Sequence, residues 1–227
     1  FDIHVADLTS GQMGLGKAGC DDGSTAARRE REERDAAKIV NATVHMLGFP
    51  DGALFANEEV CGKLAGLIRE LKPRAIFAMW PIDWHLDHAM AGVSTQKAAR
   101  LAGFKGEFYH YEQVYGSKGF VPMHFVDVSA VIEEKQRYIR AYVCQNVHDN
   151  MNREELEGAK ARGYQMFHGT SVPWGERCLF AECFAPLAGF RTQGTRCIFS
   201  ELPPAGKPLE KDQLWTESPL SGGREGK

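Results

Sequence analysis

Two spacings of apolar residues alternate along the chain. Phe1 to Leu8, Thr43 to Leu47 and Ala75 to Trp80 are short apolar runs that read as strands, the last uniform enough to be buried on both faces. Between them, Val60, Cys61, Leu64, Leu67, Ile68 and Leu71 recur at helical spacing and predict an amphipathic helix over 57–72, stopped by Pro73. Ser24 or Thr25 can cap an earlier helix that runs to about Ala42. A further helix runs from about Ala89 to Leu101, and strands are expected over Glu107–Val114 and His124–Val128. Val131, Ile132, Ile139, Tyr142 and Val143 place a helix from Ala130 to about Cys144. Asn152 to Arg162 reads as a polar surface helix, Pro173 to Phe184 has helical potential, and Arg196 to Ser200 reads as a closing strand. Beyond Pro203 the chain is rich in Pro, Gly and charge, so 203–227 is expected to be a flexible tail. Alternating strands and helices imply an α/β fold, a mainly parallel sheet covered on both faces, in one domain over 1–202.

Composition narrows the function. With 227 residues and 43% hydrophobic content the chain can bury one substantial core. A net charge of -3 and a pI near 6.3 carry no basic excess, so nucleic acid is not an implied partner. No run is long and apolar enough for a membrane span. Cys20, Cys61, Cys144, Cys178, Cys183 and Cys197 are scattered, without a CxxC pair, and read as reduced thiols of a cytoplasmic protein.

The densest chemistry is Trp80-Pro81-Ile82-Asp83-Trp84-His85-Leu86-Asp87-His88, at the junction of the Ala75 strand and the following helix. Open α/β sheets bind ligands at such strand ends. His85 and His88 lie three apart, close enough to face one site from the first helical turn. The positive end of a helix disfavours imidazolium, and a metal ligand must be neutral imidazole, so the cluster suggests metal-assisted chemistry. The plainer alternative is that Asp87 caps a helix starting at His88 and that the histidine spacing is accidental. Trp80 and Trp84 flank the cluster and are candidates for stacking on a sugar ring, Trp80 equally for the core.

Two other stretches stand out. Gly14-Leu15-Gly16-Lys17-Ala18-Gly19 matches the dinucleotide fingerprint in letters. That fingerprint belongs in a tight strand–helix turn, whereas here it floats in a loop from Thr9 to Gly23 with five glycines. Arg28 to Asp35 are eight consecutive charges with Arg28/Glu32 and Arg29/Glu33 at helical spacing, by default a solvated, self-paired face. Beside the Gly-rich loop, an arginine there is also placed to hold a substrate oxygen. His45, His110, His124 and Glu182 read as structural.

Five segments in register resemble the PIG-L/LmbE family of zinc-dependent de-N-acetylases. They are Asp7-Leu8-Thr9-Ser10-Gly11-Gln12 (D-L-T-x-G-E, with Gln12 for the glutamate), Arg29-Glu30-Arg31-Glu32 followed by Ala36, Leu47-Gly48-Phe49-Pro50-Asp51-Gly52, Pro81 to His88 (with Leu86 for a proline), and Phe180-Ala181-Glu182-Cys183-Phe184. The resemblance covers the chain to about residue 185. It implies a Rossmann-like, LmbE-like three-layer fold and hydrolysis of an N-acetyl group on an N-acetylglucosamine-type sugar or conjugate, a small-molecule partner. It further implies His88 as a zinc ligand, His85 as oxyanion stabiliser or proton-transfer group, and Asp87 as the carboxylate orienting a histidine. Arg29, Asp83, Trp84 and Gly11 would meet the substrate.

One departure matters. The family's A-H-P-D-D motif, which supplies two zinc ligands and the general-base aspartate, is absent from this chain. His4 and Asp7 have the spacing, but residues three apart on a strand point to opposite faces, and no second aspartate adjoins. The expectation is therefore one ligand of three, weak or absent Zn2+, no turnover by the chain alone, and an unpaired sheet edge where a strand is missing, offering a surface for self-association. The competing readings are a nucleotide-binding oxidoreductase using Gly14, Gly16 and Gly19, and a non-catalytic sugar-binding relative.

Overall fold

The computed structural model describes residues 1–14, 25–114, 116–169, 179–190 and 197–202. Strand β1 (Ile3–Thr9) leads to helix α1 (Thr25–Ile39), then β2 (Ala42–Phe49), α2 (Glu58–Leu71), β3 (Ala75–Met79), α3 (Leu86–Leu101), β4 (Glu107–Tyr111) and β5 (His124–Asp127). Helices α4 (Ile132–Arg140) and α5 (Asn150–Gly169) follow, then β6 (Ala181–Pro186) and a 3-10 turn, Ile198–Glu201. The amphipathic helix lies where its periodicity put it. Asn57 caps it by accepting the Val60 N–H at 2.9 Å, and Lys72 ends it in the left-handed conformation before Pro73.

Two expectations fail near the C-terminus. Residues 181–184, read as the end of a helix, are in β6, which pairs antiparallel with β4 on one side and β5 on the other and buries the alternate side chains Ala181, Cys183 and Ala185 on one face. Of the closing strand expected over 196–200, the described residues from Ile198 on form the 3-10 turn instead, the Ile198 N–H held by the Glu107 carboxylate at 3.0 Å. The proposed tail, 203–227, lies outside the described residues.

The fold is α/β, with sheets flanked by helices. β1 pairs parallel with β2 and β3 with β4, while β6 adds antiparallel pairings to β4 and β5. Helices α2 and α3 pack together on one side, with Leu47, Phe49, Leu54, Val60 and Leu64 in the core beneath them. Ala78, Ala99, Phe108 and Phe190 extend that core under α3. Burial of each large apolar side chain contributes about 1.5–3 kcal/mol. Helix α1 contacts β2 and α4, and α4 contacts α5.

Among the described residues the strands fall into two hydrogen-bonded sheets, ordered β1-β2 and β3-β4-β6-β5. One edge of β1 and one edge of β3 thus lack a strand partner there. An unpaired edge was expected from the absent motif. A cavity of about 600 Å3 opens between these two strands, lined by Asp7 and Leu8 from one and Phe77, Ala78 and Met79 from the other. Gly92 lets α3 settle on the end of β3: a Cβ there would meet the Met79 carbonyl oxygen at 2.4 Å. That close approach sets the first turn of α3 at the cavity.

Candidate active site

His85 is the residue before α3, and His88 lies in its first turn. Their rings stack with centroids 4.4 Å apart and planes 20° apart, and both line the cavity. The Nδ1 atoms of both are buried without a hydrogen-bond partner. Burial lowers the His88 pKa from its ordinary value, and His85 beside it adds to the effect against the pull of Asp83 and Asp87. His88 is therefore disposed to be neutral.

Asp87 does not cap the helix. Its carboxylate, 6% exposed, accepts the Gly52 N–H at 2.7 Å and the Leu54 N–H at 3.2 Å, tying the loop after β2 to the first turn of α3. Asp83, rather than Asp87, lies next to a histidine: its Oδ1 is 3.5 Å from His88 Nδ1, an ion-pair distance without hydrogen-bond alignment. The Asp83 side chain is 1% exposed. It accepts the His85 N–H at 2.8 Å and the Ser117 hydroxyl at 3.1 Å. Asp83 thus underpins the histidines and does not line the cavity, a correction to its expected contact with substrate. Trp84 is also outside the cavity lining, 71% exposed, with its ring edge-on to His85 at 5.7 Å. Trp80 is structural, its indole N–H bound to the Lys118 carbonyl at 2.9 Å.

Arg29 and Gly11, both expected to meet the substrate, line the cavity side by side. Gly11 has φ +61°, and a Cβ there would lie 2.4 Å from Arg29 Nε, so the guanidinium rests directly on the loop backbone. The charged helix departs from the self-paired face. Arg28 does pair with Glu32 at 3.1 Å, but Glu32 and Glu33 are buried. Glu33 accepts the Tyr142 hydroxyl at 2.6 Å, and the Cys144 N–H reaches both Glu32 oxygens at 3.2 Å. The helix therefore binds the segment after α4 through its acids, and among the described residues Arg29 has no carboxylate at ion-pair distance.

Several cavity residues were not singled out in the sequence: Asp7 as a site group, Glu33, Tyr111, Tyr142 and Gln145. They come from four elements, and only the D-L-T-x-G segment carried a signal. His4 and Asp7 do diverge: His4 Nδ1 sits 3.0 Å from His45 Nε2, while Asp7 lines the cavity. His110 is a satisfied core residue, its ring nitrogens at 2.8 Å from the Met79 carbonyl and 2.9 Å from Gln96. Glu182 is ion-paired with Lys135.

A zinc site needs three converging donors plus an open position. Among the described residues no three His, Cys, Asp or Glu side chains are grouped so as to hold a metal ion. His88, with His85 stacked on it and Asp83 occupied by Ser117 and the His85 amide, does not make a zinc site by itself. For the nucleotide reading, Gly14 lies in a turn closed by its N–H to the Gly11 carbonyl at 3.1 Å, well before α1 opens at Thr25. Gly16 and Gly19 lie outside the described residues.

Residues 1–99, from β1 to the body of α3, match the family described as PIG-L, GlcNAc-PI de-N-acetylase. The matched segment contains Asp7, Gly11, Arg29, His85 and His88. A diacetylchitobiose deacetylase of Thermococcus kodakarensis is 31% identical over 160 residues, covering 64% of this chain and 60% of that protein. The chain therefore spans about 60% of the length of that curated relative. The fold is shared with 4-carboxy-2-hydroxymuconate hydratase from Pseudomonas putida KT2440, at TM-score 0.73 and 21% identity over 86% of this chain and 88% of that one. It is shared too with N,N'-diacetylchitobiose deacetylase from Pyrococcus horikoshii, at TM-score 0.64 and 20% identity over 82% and 73%. No helix among the described residues is long and apolar enough to cross a membrane.

Proposed function

We propose that this chain provides the substrate cavity of a de-N-acetylase that removes an acetyl group from an N-acetylglucosamine-type amino sugar or its conjugate. The observation that carries the reading is the stacked His85–His88 pair lining the cavity that also holds Arg29. A fold shared with a hydratase and with a deacetylase does not choose between hydration and hydrolysis. The PIG-L match and the 31% identity to a diacetylchitobiose deacetylase favour hydrolysis.

In this reading Arg29, resting on Gly11, holds a sugar oxygen. His85 donates to the amide oxygen as charge develops there or moves a proton to the departing amine. Asp83 fixes the pair, and Asp87 holds the 52–54 loop against the helix. The described residues fall short of a zinc site, so no step is assigned to a metal here. We further propose that the gap between β1 and β3 is where a further strand bearing the A-H-P-D-D groups completes the site.

The test measures acetate release from N,N'-diacetylchitobiose by the 227-residue chain and by the same chain with an A-H-P-D-D strand joined ahead of Phe1. Release by the joined protein only, lost with His85→Ala, is the expected result. No release from either refutes the hydrolase reading.

A further inference from the structure

The segment between α4 and α5 brings to the cavity a side chain with no part in the proposed hydrolysis. Gln145 lines it, half-buried, along with Arg29. Its place does not depend on the gap between β1 and β3, because the segment is pinned to α1. Tyr142 donates to Glu33 at 2.6 Å, and the Cys144 N–H reaches both Glu32 oxygens at 3.2 Å. The same helix carries Arg29 one turn earlier, so one rigid element sets both side chains. Beyond Gln145, His148 and Asp149 are held at φ +54° and +59°, a conformation that costs non-glycine residues free energy and persists only where the surroundings fix it. The Asp149 carboxylate does so, accepting from Arg140 at 3.0 and 3.1 Å, from Asn146 at 3.0 Å and from Asn152 at 2.9 Å. Backbone strain of this kind gathers at segments that hold ligands.

The two ends of the Gln145 amide have different surroundings. Its Nε2 donates to the Gly14 carbonyl at 3.4 Å. Its Oε1 accepts no hydrogen bond among the described residues and lies near Arg29: the point a Gly14 Cβ would occupy is 3.1 Å from that oxygen and 2.8 Å from Arg29 Nη1. A guanidinium alone favours a carboxylate or phosphate over a hydroxyl. An acceptor oxygen beside it works against that preference, because it repels an anion. It also completes a donor–acceptor pair, which a hydroxyl or a secondary amide answers with its own acceptor and donor. We propose that Gln145 is a specificity-determining residue that accepts a hydrogen bond from a sugar hydroxyl or acetamido N–H while Arg29 donates to an oxygen of the same ligand. Together they restrict this end of the cavity to an uncharged group. The assignment rests on the amino-sugar reading for the identity of that ligand.

The experiment is calorimetric binding of N,N'-diacetylchitobiose to the 227-residue chain, alone and in competition with inorganic phosphate, which needs no turnover. Gln145→Met, of similar volume but without the acceptor, should bind the disaccharide about fivefold more weakly. Phosphate should compete about fivefold better in that variant than in the unaltered chain. Gln145→Ala should move both affinities in the same directions, and adding Arg29→Ala to either should abolish the gain for phosphate. Thermal unfolding of each variant verifies folding. A general loosening of the cavity would weaken both ligands together. Phosphate that gains nothing, or disaccharide binding that neither substitution changes, overturns the role of Gln145 and leaves the amino-sugar reading standing. No binding of the disaccharide by the unaltered, folded chain overturns the amino-sugar reading and the assignment built on it.

Discussion

The imidazole of His85 lies face to face with that of His88, 4.4 Å between centroids, because one buried carboxylate holds the backbone of the first and flanks the ring of the second. That carboxylate, Asp83, is also bridged to Ser117, and the backbone of Gly116 leaves it no spare room: a Cβ there would lie 2.8 Å from Oδ2. The two histidines can thus be loosened without touching either. Replacing Asp83 by Ala leaves the His85 amide and the Ser117 hydroxyl unsatisfied, and unfolding should become easier by about 2–3 kcal/mol. Asp83→Asn, which keeps an acceptor oxygen, should cost about half as much. Chemical denaturation of the three proteins measures this, and equal stability of all three contradicts the positioning role.

The contact of Arg29 with Gly11 gives a second expectation. Gly11→Ala forces a side chain into a positive φ and into the guanidinium at once. Left-handed backbone costs an ordinary residue about 1–2 kcal/mol, and the arginine must move besides. Sugar binding should weaken several-fold in Gly11→Ala and by a similar factor in Arg29→Ala. The double variant should bind no worse than Arg29→Ala, since the displaced group is then gone. Additive losses in a binding titration would show that Gly11 acts through something other than Arg29.

The histidine cluster was legible because it lies in one short segment whose local spacing encodes it, whereas Gly11 and Arg29 were singled out as site residues through the family resemblance. The strand–helix junction places His85 and His88 together without help from the rest of the fold. What was not legible arises between segments. Glu33 reads as half of a helical ion pair with Arg29, yet it binds Tyr142, 109 residues away, because α4 packs on α1. Asp87 reads as a cap, yet the helix starts at Leu86 and the carboxylate reaches back to Gly52 and Leu54. Residues 181–184 look helical by composition, but β4 and β5 each offer them a strand partner. Tertiary pairing overrides local preference where the local preference is weak. The sheet's division at β1 and β3 was anticipated only because a familiar motif is absent, not from any residue present.

A third prediction concerns stability. The Asp7 carboxyl has a pKa of about 7 in the folded chain, above its ordinary value of 3.8, so the folded state binds more protons than the unfolded one between those values. Stability from this group is present below the ordinary value and declines as pH rises towards 7, with no further change beyond. Asp7→Asn should therefore be more stable than the unaltered chain at pH 8, by about 1–3 kcal/mol, and equal to it near pH 4. Melting temperatures measured from pH 4 to 8 compare the two. Parallel curves would mean that Asp7 ionises as it does in water.

Metal binding provides the last. Each protein ligand removed from a structural or catalytic zinc site takes a large share of the affinity, and His88 has no two further donors grouped with it among the described residues. After dialysis against buffer containing micromolar zinc, the 227-residue chain should retain well under one equivalent by atomic absorption. The same chain with an A-H-P-D-D strand joined ahead of Phe1 should retain close to one, and His88→Ala in that background should lose it. Tightly held, stoichiometric zinc in the 227-residue chain would require two further donors to join His88, and so a different arrangement of the cavity walls from the one in which Asp83 is committed to Ser117 and Asp87 to the loop amides.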